Sequence, residues 1–363
     1  MMKIIVDCMS GDNAPEEIVR GALEGKEKEQ LSNALLEMLL EAAEYEGCDE
    51  SIVEYLVKFP LIEYYFTFVE KLKILVKEKI LSKDTLFNLA MEYIKNSKDE
   101  NLIKLGLTLL KYTENKNALE VLKIFTNHND YIFYAIESIR EYEKCNSIIF
   151  DVAKAANGYG KVIAVNNLEL LSDEIKEWVI EKAADNEVLS NIIAAMKFDE
   201  YEYIEYFINE DKTKDKYKTF TKNMRLLCEL EDYLYGNISF DLVYIYFEYF
   251  KEFSVNFDNL YVILSLISLY HNKEDERSRV MREELSKDER LILEEITKEI
   301  FSNDYSNIVK AELNYNNYNN DEIIAIAILL NIKLSFNDFK RKLVNSIVDL
   351  PIYSYIIEGE SYD

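Results

Sequence analysis

Along most of the chain, apolar residues return every three or four positions, the period of a helix that buries one face. Leu31, Leu35, Leu36, Met38, Leu39 and Ala42 form the first such stripe. Gly47 interrupts it. A second stripe, Ile52, Val53, Leu56 and Val57, runs up to Pro60, whose ring and missing amide proton stop a helix. Helices are predicted next over Phe66–Ile80 and Thr85–Ile94. In the first of these, Lys71, Lys73, Lys77 and Lys79 form a solvated face, with a basic membrane-surface helix as the alternative reading.

From about Glu100 the stripes come in pairs. Leu102–Tyr112 is one helix, followed by the pairs Ala118–Phe125 with Tyr131–Tyr142, Ser147–Ala156 with Lys161–Leu171, and Glu174–Ala184 with Val188–Lys197. Each pair fills about 27–30 residues, and a fixed period of helix pairs is the signature of an α-solenoid. The second helices share a pattern: Ala135-Ile136-Glu137-Ser138-Ile139 aligns with Ala164-Val165-Asn166-Asn167-Leu168. Asp130, Ser172 and Asp185 stand where N-caps are expected. Trp178, with Ile175 and Val179 on the same face, is expected to anchor the core. Residues 211–222, with Lys212, Lys214, Lys216 and Lys218 alternating with polar side chains, are expected to form a linker or long loop. Helices resume over Asn223–Tyr235, the aromatic Phe240–Phe253, Leu260–Tyr270, which is apolar nearly all round and so central, and Arg277–Phe301, interrupted near Ser286. Tyr305–Leu313, the polar loop Asn314–Asn320, Ile323–Ile332 and Phe336–Val348 complete the pattern.

The first 25 residues read differently. Lys3–Asp7 is predicted as a short strand and Cys8–Ala14 as a polar loop. Pro15–Glu24 is predicted as a helix ended by Gly25. The run Asp7-Cys8-Met9-Ser10-Gly11-Asp12-Asn13-Ala14-Pro15 resembles the opening of the phosphate acyltransferase of bacterial phospholipid synthesis, which has Asp-Ala-Met-Gly-Gly-Asp-Asn-Ala-Pro between a strand and a helix. Cys8 and Ser10 depart from that pattern. The resemblance implies a parallel α/β sheet and acyl transfer from acyl carrier protein to inorganic phosphate, yet no strand-helix alternation comes after Gly25.

Composition narrows the choice. With 9 Gly and 3 Pro in 363 residues, a sandwich or barrel of many short strands lacks its turn residues. The formal net charge of −26 repels phosphate backbones and anionic lipid surfaces and favours basic partners. Cys8, Cys48, Cys145 and Cys228 lie far apart with no C-x-x-C spacing, so reduced thiols in the cytoplasm are expected. The start of the chain reaches Asp7 before any long apolar region forms, and no apolar run is long enough for a membrane span.

Candidate chemistry is sparse. The two histidines, His128 and His271, sit outside any metal-ligand spacing. Gly158-Tyr159-Gly160-Lys161 imitates the end of a phosphate loop, but Val162 stands where Ser or Thr is needed and a helix precedes it. Gly158 is instead expected to take the left-handed conformation of a helix-to-helix turn. This turn, the Ala164-Val165 pair and Glu174-Ile175-x-x-Trp178 resemble part of a bacterial helical-repeat group labelled limonene hydroxylase. No heme-thiolate context, flavin fingerprint or two-histidine iron site accompanies the resemblance. The remaining signal is Tyr201, Tyr203 and Tyr206 interleaved with Glu202 and Glu205, an acidic, aromatic face suited to a basic peptide. Half-buried tyrosines with their hydroxyls in water are the plainer alternative.

The sequence thus predicts an all-α chain, a HEAT-like solenoid over 26–210 joined by 211–222 to a less regular helical region, 223–363. The expected function is a non-enzymatic cytoplasmic interaction or scaffold protein without catalytic residues, cofactor or metal. Its expected partner is another protein or a basic peptide, not nucleic acid or membrane. An acyltransferase is the alternative, on the N-terminal segment alone.

Overall fold

The computed structural model describes residues 14–44, 49–208, 212–235, 237–271, 276–313 and 320–334, and among them every regular element is helical. The strand predicted at Lys3–Asp7, Gly47, the 314–319 loop and the helix predicted over Phe336–Val348 lie outside the described residues. The chain divides into two units, Met1–Glu169 and Leu170–Asp363.

The first unit contains α1 (Ala14–Glu44), α2 (Asp49–Lys58), α3 (Leu61–Lys77), α4 (Lys83–Asn96), α5 (Glu100–Leu109) with a 3-10 turn Leu110–Tyr112, α6 (Lys116–Phe125), α7 (Ile132–Ile139), α8 (Cys145–Ala155) and α9 (Gly158–Asn167). Gly25 does not end a helix as predicted: α1 runs through it. One glycine costs a helix interior about 1 kcal/mol, too little to stop a helix of this length. Pro60 does separate α2 from α3, standing as the N-cap of the latter. Ser82, Asp99 and Asn115 cap α4, α5 and α6 through side-chain oxygens. Of the predicted caps, Ser172 caps its helix, whereas Tyr131, next to Asp130, and Leu189, four residues beyond Asp185, occupy the other two cap positions.

α4 lies against α5, α5 against α7, and α7 against α9, with α6 on α7 and α8 on α9. Gly106 permits a close approach of α5 to α4. A Cβ there would stand 3.0 Å from the Ala90 carbonyl oxygen and 2.9 Å from Ile94 Cγ1. The turn between α8 and α9 uses Gly158 at φ +61° as expected. The α5–α7 contact is polar as well as apolar: Ser138 Oγ donates to the Leu107 carbonyl at 2.9 Å and Tyr142 donates to the Leu110 carbonyl at 2.6 Å. Lys111 and Glu137, each 6 % exposed, meet inside it.

The second unit contains α10 (Asp173–Trp178), which continues as a π-turn Val179–Ala183, then α11 (Ser190–Met196), α12 (Glu200–Ile208), α13 (Lys214–Cys228), α14 (Glu231–Leu234), α15 (Phe240–Glu252), α16 (Phe257–His271), α17 (Glu276–Glu284), α18 (Lys287–Ser302), α19 (Ser306–Glu312) and α20 (Asn320–Leu329). Here α11 packs on α13, α13 on α16 and α16 on α19, while α12 packs on α15. The predicted linker is corrected: residues 214–222 are the first half of α13, capped by Thr213. Tyr217, Phe220, Met224 and Leu227, all buried, recur at helical spacing between the lysines. The predicted break near Ser286 is present as a capping box, with Ser286 and Glu289 each bonding the other's backbone. As predicted, α16 is central; Leu260, Val262, Ile263 and Leu266 are fully buried.

The core of this unit is aromatic. Phe207 stacks on Phe220 with centroids 4.0 Å apart and planes 8° apart. Tyr246 meets Phe220 edge-on at 5.0 Å, and Tyr249, also edge-on to it, donates its hydroxyl to the Phe207 carbonyl. Trp178 is a correction. Ile175 and Val179 are buried, but the indole is half-buried, so the core anchor of this region is the aliphatic pair.

The π-turn is held from α13. Its wider hydrogen-bond spacing disturbs the regular carbonyl ladder, and two of its carbonyls accept from side chains of α13. Asn223 Nδ2 donates to Ile180 at 2.5 Å and Lys222 Nζ donates to Glu181 at 3.2 Å. Asn223 is 1 % exposed, and its Oδ1 is without a hydrogen-bond partner among the described residues. Asn223→Leu is therefore expected to destabilise the chain by about 1–2 kcal/mol, because it strands the Ile180 carbonyl. The loss is limited because the variant also removes the unpartnered Oδ1. Urea unfolding checks it; an unchanged midpoint would show that the turn does not need this bond.

Candidate functional site

The interleaved Tyr and Glu residues of 201–206 all lie on α12, and a helix distributes them by threes and fours rather than by alternation. Tyr203 and Phe207 share the inward face. Tyr203 is 3 % exposed, with its ring 4.8 Å from Phe198, and burial pushes its hydroxyl well above the ordinary tyrosine range. Tyr201 points away, 70 % exposed. Glu202, Glu205 and Tyr206 share a third face, which looks onto α10. The structure thus brings together three of the five predicted binding residues. Tyr203 belongs to the core, and Tyr201 does not line the site.

Two adjoining cavities lie beside that third face, sharing Glu177 and Tyr206. The smaller, about 210 Å³, is lined by Asp173, Lys176, Glu177, Ile180, Glu202, Glu205 and Tyr206. The larger, about 620 Å³, runs along α13 and alternates carboxylates with lysines, among them Glu181, Asp185, Lys216 and Lys222. Tyr206 is fixed at their junction: its hydroxyl donates to Glu181 Oε1 at 2.5 Å, and Lys216 Nζ stands 4.7 Å above its ring. Lys222 pairs with Asp185 at 2.7 Å.

Charges in the smaller cavity do not balance. Lys176 is the lone cation of its lining and is engaged by Glu202 at 2.6 Å. Its ammonium is held above the ordinary lysine range by that hydrogen bond first, and then by the charges of Glu202, Asp173 and Glu205. Asp173, Glu177 and Glu205 are exposed and carry no ion pair among the described residues. Ile180, 3 % exposed, and the Tyr206 ring supply an apolar wall. Three carboxylates above an apolar surface suit a long aliphatic side chain that ends in a cation. Asp173, Glu177 and Glu181 were missed in the sequence because they lie some 25 residues before the tyrosines. Their one local signal is the acidic helix start after Ser172.

Among the described residues no group of acidic, histidine or cysteine side chains is arranged to hold a metal ion. His271 Nε2 shares a hydrogen bond with Thr297 Oγ1 at 3.0 Å. Burial pushes the Cys228 thiol up to about 12, which leaves it protonated and unreactive. No helix among the described residues is long and apolar enough to cross a membrane. The chain matches no protein-family model, no curated protein and no solved structure.

Proposed function

We propose that the chain is a non-enzymatic, cytoplasmic protein-interaction or scaffold protein, built as a HEAT-like α-solenoid, whose acidic cleft takes a lysine or arginine side chain from a basic segment of a partner protein. The observation that carries the reading is the set of three carboxylates without an ion pair among the described residues, Asp173, Glu177 and Glu205, around the Ile180 and Tyr206 surface. The solenoid reading is supported by period and by packing. The first helices of successive pairs begin at Lys116, Cys145, Asp173 and Glu200, a repeat of about 28 residues. Within each unit the second helices lie side by side, α5, α7 and α9 in one and α11, α13 and α16 in the other.

A labelled lysine-rich peptide titrated with the full chain tests the binding. The wild-type chain is expected to bind it and to lose affinity as salt rises. Glu177→Gln combined with Glu205→Gln is expected to weaken binding about tenfold or more, each carboxylate-to-cation contact being worth roughly a kcal/mol. Equal binding by wild type and the double variant would overturn the assignment, as would failure of the wild type to bind. A glutamate-rich peptide should not bind either chain.

A further inference from the structure

Three of the four lysines predicted as a solvated face, Lys73, Lys77 and Lys79, line a cavity of the first unit. Lys73 and Lys77 come from the end of α3, Lys79 from the turn, Lys83 from the first turn of α4, and Lys111 from below. The space is about 620 Å³, within the range of small-molecule sites. In a chain with 68 acidic and 42 basic residues, five lysines and two glutamates around one cavity is an inverted balance. Lys83 is taken by Glu114 at 2.5 Å, Lys111 by Glu137, and Lys73 stands 5.9 Å above the Tyr112 ring. Glu141 is exposed on the rim. Lys77 and Lys79 have no carboxylate partner among the described residues.

Two features of the turn add to the charge. The N-terminus of α4 opens beside the cavity at Ser82 and Lys83, so the positive end of a fourteen-residue helix lies there. Lys79 holds φ at +61°, where a side chain is strained and glycine is the usual occupant. Val76, Leu81 and the Tyr112 ring complete the wall with apolar surface.

We propose that this cavity binds a small phosphate-bearing molecule, its phosphate seated between Lys77, Lys79 and the first turn of α4 and its organic part against Leu81 and Tyr112. Lysine serves phosphate as a mobile point charge, and a multiply charged anion rewards two unpaired ammonium groups. The surplus of negative charge over the rest of the chain opposes extended polyanions, so the site suits a compact anion. The same chemistry occurs on soluble metabolites and on lipid headgroups, and the experiment separates them.

The full chain is titrated calorimetrically with pyrophosphate and, in parallel, sedimented with vesicles containing phosphatidic acid. Pyrophosphate binding without vesicle capture assigns a soluble ligand; capture without pyrophosphate binding assigns a headgroup. In either case Lys77→Gln combined with Lys79→Gln is expected to weaken binding at least tenfold. Lys79→Gly separates binding from folding: it removes the cation and relieves the backbone, so the melting temperature is expected to rise while affinity falls. The proposal is overturned if neither probe binds, or if the double variant binds as the wild type does.

Discussion

Replacing Glu137 with leucine is expected to lower the stability of the chain by about 3–5 kcal/mol, and adding Lys111→Met to recover most of the loss. Both residues are 6 % exposed. Lys111 Nζ lies 3.5 Å from Glu137 Oε2 and also donates to the Glu137 backbone carbonyl at 2.5 Å, while Arg140 approaches the other carboxylate oxygen at 3.4 Å. Removing the carboxylate leaves a buried ammonium with one neutral acceptor, and stranding a buried charge costs far more than the pair contributes. Replacing both partners by apolar side chains removes the problem with its cause. Denaturant midpoints for the two single variants and the double variant measure the coupling. Losses that simply add would show that the two side chains do not depend on each other.

The same pair gives a pH signature. Burial, acting against the attraction of Glu137, holds the Lys111 ammonium below the ordinary lysine range. Between that lowered value and the ordinary one the unfolded chain binds more protons than the folded chain at this position. Stability therefore rises with pH across that alkaline window, and the penalty is present in full below it. In Lys111→Met this contribution to the rise is expected to vanish.

Phe220→Ala is expected to cost about 3–5 kcal/mol. Phe220 is fully buried, stacked on Phe207 and met edge-on by Tyr246 and Tyr249. The truncation opens a cavity among α12, α13 and α15 and also removes ring-to-ring contacts, worth about 0.5–1.5 kcal/mol beyond the area they bury. Phe220→Leu should cost clearly less, since it restores most of the volume. Tyr201→Ala, at a side chain 70 % exposed, is expected to stay within about 0.5 kcal/mol of the wild type. Thermal unfolding monitored in the near ultraviolet, where packed tyrosines contribute, orders the three. A Phe220→Ala variant as stable as Tyr201→Ala would mean that the aromatic stack does not hold this unit together.

Helices with a clean apolar stripe and a terminating residue were legible in the sequence. Pro60, Gly158 and Ser286 mark their breaks where periodicity placed them. The stretch before Asn223 was not legible as helix, because lysine at every second position masked the stripe Tyr217, Phe220, Met224, Leu227. A helix needs one apolar residue per turn, not an apolar composition. The binding face was partly legible. Alternation of Tyr and Glu drew attention to α12, but a turn of about 100° per residue sends Tyr201, Tyr203 and Tyr206 in three directions. The acids of α10 that complete the cleft are neighbours in space alone. The Lys111–Glu137 pair carried no signal, because an ion pair between turns 26 residues apart looks, in a sequence, like any two charges on wet faces.

The π-turn at Val179–Ala183 stores chain length inside a helix. Each such turn spans one residue more than an α-turn, so removing a single residue there would yield ordinary helix and leave every loop intact. Winding the same residues as ordinary α-helix would instead rotate α10 by about 100° relative to the chain beyond the turn, carrying Asp173 and Glu177 out of phase with Glu205 and Tyr206. The cleft is therefore encoded partly as a count. A chain that kept all of these residues but wound them as α-helix would keep its helical content and its composition, yet lose the alignment of carboxylates on which recognition of a cation depends.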